Sequence, residues 1–180
     1  MEALQTLNLE SCQNLVSLPE LIGDLTSLTE LRLDYCYMLK SLPERIGELD
    51  LKDLTLYDCK ALTMDVEINK IVEMKNLTKL SLSGTNISAL TERLGECESL
   101  TKLDLRLCQN LKSLPDSIGG LESLTELDLR ACENLTSLPD GFGNLKKLKK
   151  LKMQICPAGQ NMRAALKAQL KNQGCSGGGW

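Results

Sequence analysis

Seven times along this 180-residue chain the same arrangement of leucines comes round. Leucines open the units at positions 4, 28, 51, 77, 100, 124 and 148, so the successive spacings are 24, 23, 26, 23, 24 and 24 residues. A period of this size is too long for helical or strand periodicity and too short for a domain. It fits one supersecondary unit stacked on copies of itself. Such a unit cannot bury its leucines alone; its neighbours must do it.

The common unit reads L-x-x-L-x-L-x-x-C-x-x-L-x-x-L-P-x-x-I-G-x-L-x-x and covers residues 4 to about 156. In "LTELDLRAC" the alternation predicts a short strand, with Leu127 and Leu129 inward and Glu126, Asp128 and Arg130 outward. The chain turns at the cysteine, and Leu135 and Leu138 re-enter the core. Pro139 suits the first turn of a short helical or 3-10 segment. Gly143 is expected to close that segment as a C-terminal cap.

This unit resembles the leucine-rich repeat family. More narrowly, "LP..IG.L..L" is similar to the intracellular type found in Ras-linked scaffold proteins and plant disease-resistance proteins. The alternation of "C.NL.SLP" units with the "SGTNI" unit at Ser83–Ile87 is most similar to the latter. The resemblance implies an α/β fold: a right-handed solenoid with a parallel sheet on its concave face and short helical or 3-10 segments on its convex face. It also implies a non-catalytic protein-protein interaction module, a scaffold or a recognition element in signalling or defence. A structural spacer within a larger assembly is the alternative. The nucleotide-binding and signalling domains of resistance proteins are not among these residues.

Six full units and the partial one at 148 assign residues 1–156 to the repeats. In 157–174, Met162, Leu166 and Leu170 fall at i, i+4 and i+8, which predicts an amphipathic helix capping the last repeat. The tail "CSGGGW", 175–180, is flexible in composition. The third unit departs from the pattern: after Cys59 it reads "ALTMDVEINKIVEMKNL", without proline or glycine. Met64, Ile68, Ile71, Val72 and Met74 have helical spacing, predicting a longer convex helix over about 66–74. It is either an insertion without a role or a partner-facing bump.

Six of the eight cysteines, Cys12, Cys36, Cys59, Cys108, Cys132 and Cys156, share the ninth position of their units. There a cysteine serves as a small buried hydrophobe with a weak donor. Cys97 and Cys175 lie off this ladder and are expected to be exposed thiols. "MEALQTLNLESCQNL" has no basic segment followed by an apolar one, so a cytoplasmic chain with reduced thiols is expected. Asn-x-Ser/Thr at Asn76, Asn86 and Asn134 is then coincidental. No run approaches the roughly 18 apolar residues of a membrane helix, so no membrane partner is expected.

The chain has no histidine, which removes the Ser/His and Cys/His nucleophile pairs and the commonest metal ligand. It has no C-x-x-C pair and no phosphate-cradling glycine motif. Its carboxylates sit at phases expected to face solvent. The expectation is a non-enzyme without cofactor or metal. A net charge of −3 disfavours nucleic acid, although residues 146–180 carry 8 bases and no acid. That basic end offers a weaker route to an acidic partner.

Function is therefore sought where the units differ. Three outward columns vary: Thr6, Glu30, Asp53, Lys79, Lys102, Glu126 and Lys150; Asn8, Arg32, Thr55, Ser81, Asp104, Asp128 and Lys152; and Glu10, Asp34, Tyr57, Ser83, Arg106, Arg130 and Gln154. They read either as a solvated charge ladder or as a recognition surface for another protein. On the second reading the candidates are Arg32, Asp34, Tyr35, Asp53, Tyr57, Lys79, Lys102, Arg106, Arg130, Lys150 and Lys152, with Tyr35, Tyr57 and Arg32 as anchors. The strand at Leu4, Leu7 and Leu9 has no predecessor to cover it. Further repeats, another chain or self-association are expected to do so, or it frays.

Overall fold

A leucine between two polar residues lies at the centre of every repeat strand. Alternation sends the leucine into the coil and its neighbours to the outer face. The computed structural model describes residues 3–178. The strands are β1 (Thr6–Asn8), β2 (Glu30–Arg32), β3 (Asp53–Thr55), β4 (Lys79–Ser81), β5 (Lys102–Asp104), β6 (Glu126–Asp128) and β7 (Lys150–Lys152). An eighth, β8 (Ser176–Gly178), completes one open parallel sheet in chain order. Leu31, Leu54, Leu80, Leu103, Leu127 and Leu151 are buried in register across it. The chain is a solenoid with this sheet on its concave face.

Each unit turns away from its strand through a residue in the left-handed region. Ser11, Tyr35, Asp58, Leu107, Ala131 and Ile155 have φ of 57–63°, and Gly84 has 71°. The conformation aims each N–H along the array. Tyr35 N donates to Tyr57 O at 2.7 Å and Asp58 N to Ser83 O at 2.8 Å, and Ser11, Gly84, Leu107 and Ala131 repeat this bond. The next residue is the ladder cysteine, except after Gly84, where Thr85 takes its place and donates to Leu82 O at 2.7 Å. From Cys36 onward the thiol donates backward to the preceding unit, as from Cys59 to Leu33 O at 3.0 Å and from Cys132 to Leu105 O at 3.1 Å.

The chain then crosses to the convex face. The prolines at 19, 43, 115 and 139 immediately precede 3-10 segments at Glu20–Asp24, Glu44–Glu48, Asp116–Gly120 and Asp140–Asn144. Thr91 takes the proline's place before Glu92–Glu96 and accepts a bond from Arg93 N. The "IG" glycines do not cap these segments in the left-handed region; only Gly84 and Gly174 have positive φ among the described glycines. They permit close approach instead. A Cβ on Gly119 would lie 2.3 Å from Gly141 O, and one on Gly95 would lie 2.5 Å from Ser117 O. The expectation of a cap at Gly143 is thus corrected: its φ is not positive, and an added Cβ there would first meet the Gln169 side chain, at 3.4 Å.

The third unit carries α1 (Met64–Ile71), two residues earlier than its pattern predicts, with Met64, Ile68 and Ile71 buried. The helix begins at the phase where other units form a second row of parallel bridges, Ser17 to Ser41 and Ala89 to Ser113. Its side chains replace the missing bridge. On one side Glu67 accepts from Leu42 N at 2.9 Å, and Lys70 donates to Leu42 O at 2.8 Å. On the other side Asp65 accepts from Ser88 N at 2.9 Å and from Ser88 Oγ at 2.6 Å. Burial works against the charge of Asp65, but these bonds outweigh it and hold the carboxyl below its ordinary range. Solvent-facing carboxylates were expected throughout; Glu67, 4% exposed, is a correction, and it is buried because it serves the backbone.

The C-terminal segment is two helices, α2 (Pro157–Gln160) and α3 (Ala164–Asn172), rather than one over 157–174. Leu170 and Met162 are buried and Leu166 packs partly against the core. The tail is also corrected. Residues 176–178 pair with β7 because a parallel ladder needs only backbone, which glycine supplies; residues 179–180 lie outside the described ones. At the other end β1 pairs only with β2 among the described strands, and Leu4 is 47% exposed.

Candidate functional site

The three outward columns stand on the sheet face as the alternation requires, apart from Ser83, which is buried and donates to Arg106 O at 2.9 Å, and the in-register ladder fixes which charges meet. Like charges fall side by side: Glu30 with Asp53, Lys79 with Lys102, and Asp104 with Asp128. Such neighbours repel, so each needs a compensating partner. Arg32 pairs with Glu30, and Lys79 with Asp53 at 3.0 Å. Arg106 and Arg130 each turn back within their own strand, to Asp104 and Asp128 at 2.7 Å.

Beyond Arg32, Asp53 and Lys79, paired as above, the eleven candidate residues separate into two groups. In the first, Asp34 accepts from Thr55 Oγ1 at 2.9 Å and Tyr57 N at 2.7 Å. This holds Tyr57 against Tyr35, with ring centres 4.9 Å apart and planes at 86°; Tyr37 joins at 6.2 Å. Edge-to-face geometry suits rings whose edges are positive and faces negative. Partial desolvation pushes the Tyr35 hydroxyl up, helped by Tyr57, Tyr37, Glu10 and Asp34. The rings border a shallow depression of about 410 Å³ lined also by Glu10, Thr55, Ser81, Arg106 and Leu107. Sequence reasoning missed Glu10 and Leu107 as parts of this site. Glu10 stood in a variable column, so a signal existed; Leu107 reaches the rim only through its left-handed turn.

The second group surrounds two carboxylates. Glu126 takes Lys152 at 2.9 Å, with Lys102 at 3.9 Å and Lys150 at 4.0 Å on the two neighbouring strands. The hydrogen bond from Lys152 and the three positive charges hold Glu126 below the ordinary carboxylate range, against the cost of partial burial. Asp128 meets Arg130 at 2.7 Å, Lys152 at 3.5 Å and Arg106 at 3.9 Å. Burial of Asp128 opposes its charge, but Arg130 and Lys152 win and its carboxyl stays low. Asp128 is 5% exposed, a second correction to the solvent-facing expectation, made possible by this cage of cations.

The bases of 146–180 are spread over several faces. Lys150 and Lys152 face the sheet side, Lys146 and Lys149 donate to Gly143 O and Gln173 O, and Arg163 pairs with Asp140. A second hollow of about 290 Å³ lies beneath α3 beside Leu138 and Pro139 and is the docking seam of that helix. The three Asn-x-Ser/Thr asparagines are bonded into the fold: Asn76 to Asp50, Asn86 to Lys60 O and Asn134 to Gln109 O.

All eight cysteines are free thiols, but their exposure departs from expectation. Cys12 is exposed because no unit precedes its own among the described residues, and Cys97 and Cys175, expected to be exposed, are buried. Cys97 occupies the core phase that holds Leu25, Leu49, Leu121 and Leu145 in other units. Burial pushes Cys59 up to about 12, and Cys97 and Cys108 up to about 11. Thiolate is the reactive form. Titration of the native protein with a disulfide reagent should therefore show one fast thiol, abolished by Cys12→Ser. Fast labelling of Cys97 or Cys175 would contradict this burial. Among the described residues no group of three or more His, Cys, Asp or Glu is placed to hold a metal ion, and no helix is long and apolar enough to cross a membrane.

A family model described as "Leucine-rich repeat region" matches residues 51–172, and one described as "Leucine Rich Repeat" matches 3–25. Among curated proteins none matches this sequence. Among solved structures the chain is similar to a leucine-rich repeat protein of Leptospira interrogans, with TM-score 0.70, 26% identity, and coverage of 98% of this chain and 49% of that one. It is also similar to the leucine-rich repeat domain of the type III effector XopL, with TM-score 0.77, 27% identity, and coverage of 97% and 68%. A third similarity is to the plant peptide hormone receptor RGFR1 in complex with RGF2, with TM-score 0.50, 26% identity, and coverage of 86% and 35%. The chain spans about half the length of the Leptospira protein. The repeat period, the solenoid and the family models agree: the chain belongs to the leucine-rich repeat family.

Proposed function

We propose that this chain is a non-catalytic recognition or scaffold module that binds another protein across its concave sheet face, in a cytoplasmic signalling or defence setting. Leucine-rich repeat domains are generally protein-interaction modules, and a related receptor fold is known in complex with its peptide hormone. The observation that carries the reading is the Tyr35–Tyr57–Tyr37 cluster on an otherwise charged sheet face. Interface energy concentrates in tyrosine and arginine, and the tyrosine ring buries large area at low entropic cost. The setting is supported by buried thiols that donate to backbone carbonyls, which suits a reducing compartment. The similarity of "C.NL.SLP" and "SGTNI" to plant resistance proteins supports the defence association.

The spacer reading draws on one observation, the mutual pairing of many sheet-face charges. Partner capture separates the two. Tyr57→Ala and Arg32→Ala should each weaken capture about tenfold, or ~1–2 kcal/mol, while leaving the melting curve nearly unchanged. Crosslinking mass spectrometry identifies the partner and the face it uses. Equal capture by both variants returns the chain to the spacer role or moves recognition to α1.

A further inference from the structure

The sheet face is polar along its length. Over β1–β3 and their turns, Glu10, Glu30, Asp34 and Asp53 face a single base, Arg32. From β4 onward bases outnumber acids, and one carboxylate, Glu126, is shared by Lys102, Lys150 and Lys152. Lys102 and Lys150 flank Glu126 only loosely, at 3.9 and 4.0 Å, and their side chains are 54% and 61% exposed. Both ammoniums therefore have donors left for an outside carboxylate. At the other end, the Tyr35–Tyr57 pair beside Glu10 offers π faces and negative charge to an outside cation.

The two centres lie four strand spacings apart, on the second and sixth units. At about 4.8 Å per strand this is about 19 Å across the strands, and the step from the seventh to the third position of the unit adds about 13 Å along them, for about 23 Å in all. An extended segment running diagonally covers about 20 Å in six residues at roughly 3.3 Å each, and its side chains reach the remainder. A spacing of six keeps residues i and i+6 on the same side of an extended chain. Resting on the concave-face reading above, we propose that the partner presents an extended peptide segment of mixed charge. Its Lys or Arg docks on Tyr35, Tyr57 and Glu10, and its Asp or Glu, six residues away, docks between Lys102 and Lys150.

The test uses three blocked synthetic peptides of one composition: Lys-Lys-Ser-Ser-Ser-Ser-Glu-Glu, an isomer with the charged pairs adjacent, and a scrambled isomer. Titration into isotopically labelled full chain at low ionic strength, where screening is weakest, reports affinity and site together by amide shifts. The spaced peptide should bind at least fivefold tighter than either isomer and move the amides of Tyr57 and Lys102. Lys102→Glu with Lys150→Glu should remove that advantage. A circular dichroism spectrum matching the unsubstituted chain shows that the double variant is folded; the single variant Lys102→Ser gives the same test with one charge removed. Shifts on the sheet face with equal affinities for all three isomers overturn this proposal and leave the concave reading standing. No shift with any of them overturns it as well, and shifts confined to the convex side overturn both.

Discussion

Replacing Gly119 by alanine should cost about 3 kcal/mol, while the same change at Gly143, one unit on, should be neutral or slightly stabilising. Both glycines occupy one phase of the repeat, so sequence alone treats them alike. Around Gly119 the added carbon would lie 2.3 Å from the Gly141 carbonyl oxygen and 2.9 Å from Asn144 Cβ. Neither the backbone oxygen nor the Asn144 Cβ can swing aside. The adjoining convex segments must separate, and overpacking of this kind costs 1–3 kcal/mol, occasionally more. At Gly143 the first atom met is the tip of the Gln169 side chain at 3.4 Å, an ordinary contact. There the loss of unfolded-state freedom favours alanine by about 0.4–1 kcal/mol. Thermal melts of the two variants decide the matter. For a chain of this size 3 kcal/mol corresponds to roughly 6–12 °C. Equal melting temperatures would show that close approach is not what the glycine is for.

The second large effect is expected at Glu67. Its carboxylate receives the Leu42 amide and pairs with Lys70 at 3.2 Å, and its side chain is 5% exposed. Glu67→Ala leaves a buried N–H without a partner, at a cost of about 1–3 kcal/mol. Lys70 keeps Glu44 at 2.8 Å and the Leu42 carbonyl, so its charge is not stranded. A loss of about 2–3 kcal/mol by denaturant titration is expected, with faster hydrogen exchange at Leu42. Val66→Ala on the exposed side of the same helix should stay within about 0.5 kcal/mol. A Glu67→Ala loss below about 1 kcal/mol would mean that water replaces the carboxylate and that the helix is not spliced into the ladder.

These two sites show what a sequence can disclose. The leucine phases were legible because burial repeats with the unit, and each strand needs only one inward side chain to announce itself. The ninth-position cysteines were legible for the same reason. What escaped depends on another unit. The glycine phase looks like a local cap until the next segment is laid against it. Cys97 looked exposed because Thr85 holds the ladder position of its unit and the 23-residue length puts Cys97 one place short of the leucine phase when counted from the start, although it fills that phase in the fold. Glu67 and Asp65 looked like ordinary helix-surface acids, since nothing local shows that the adjoining backbone lacks a bridge. Strand β8 left no pattern at all, because Ser176–Gly178 pairs through its backbone.

For the candidate site, the columns could be written down from the period, and the tyrosines stood out against a chain with five aromatic residues. Which charges neutralise one another could not. Glu126 and Asp128 gather cations from neighbouring strands and from their own, and that choice rests on side-chain reach, not on phase.

The register of the sheet has a further consequence. Asp53 and Lys79 stand side by side although 26 residues separate them, and Glu30 and Asp53 do so across 23. Differences in unit length are taken up outside the sheet, most of all on the convex side, where α1 replaces a five-residue segment. The two faces are thus free to change independently. Convex loops can be lengthened, shortened or rebuilt without altering the step at which the opposite face meets its partner, and a binding specificity written there survives remodelling behind it.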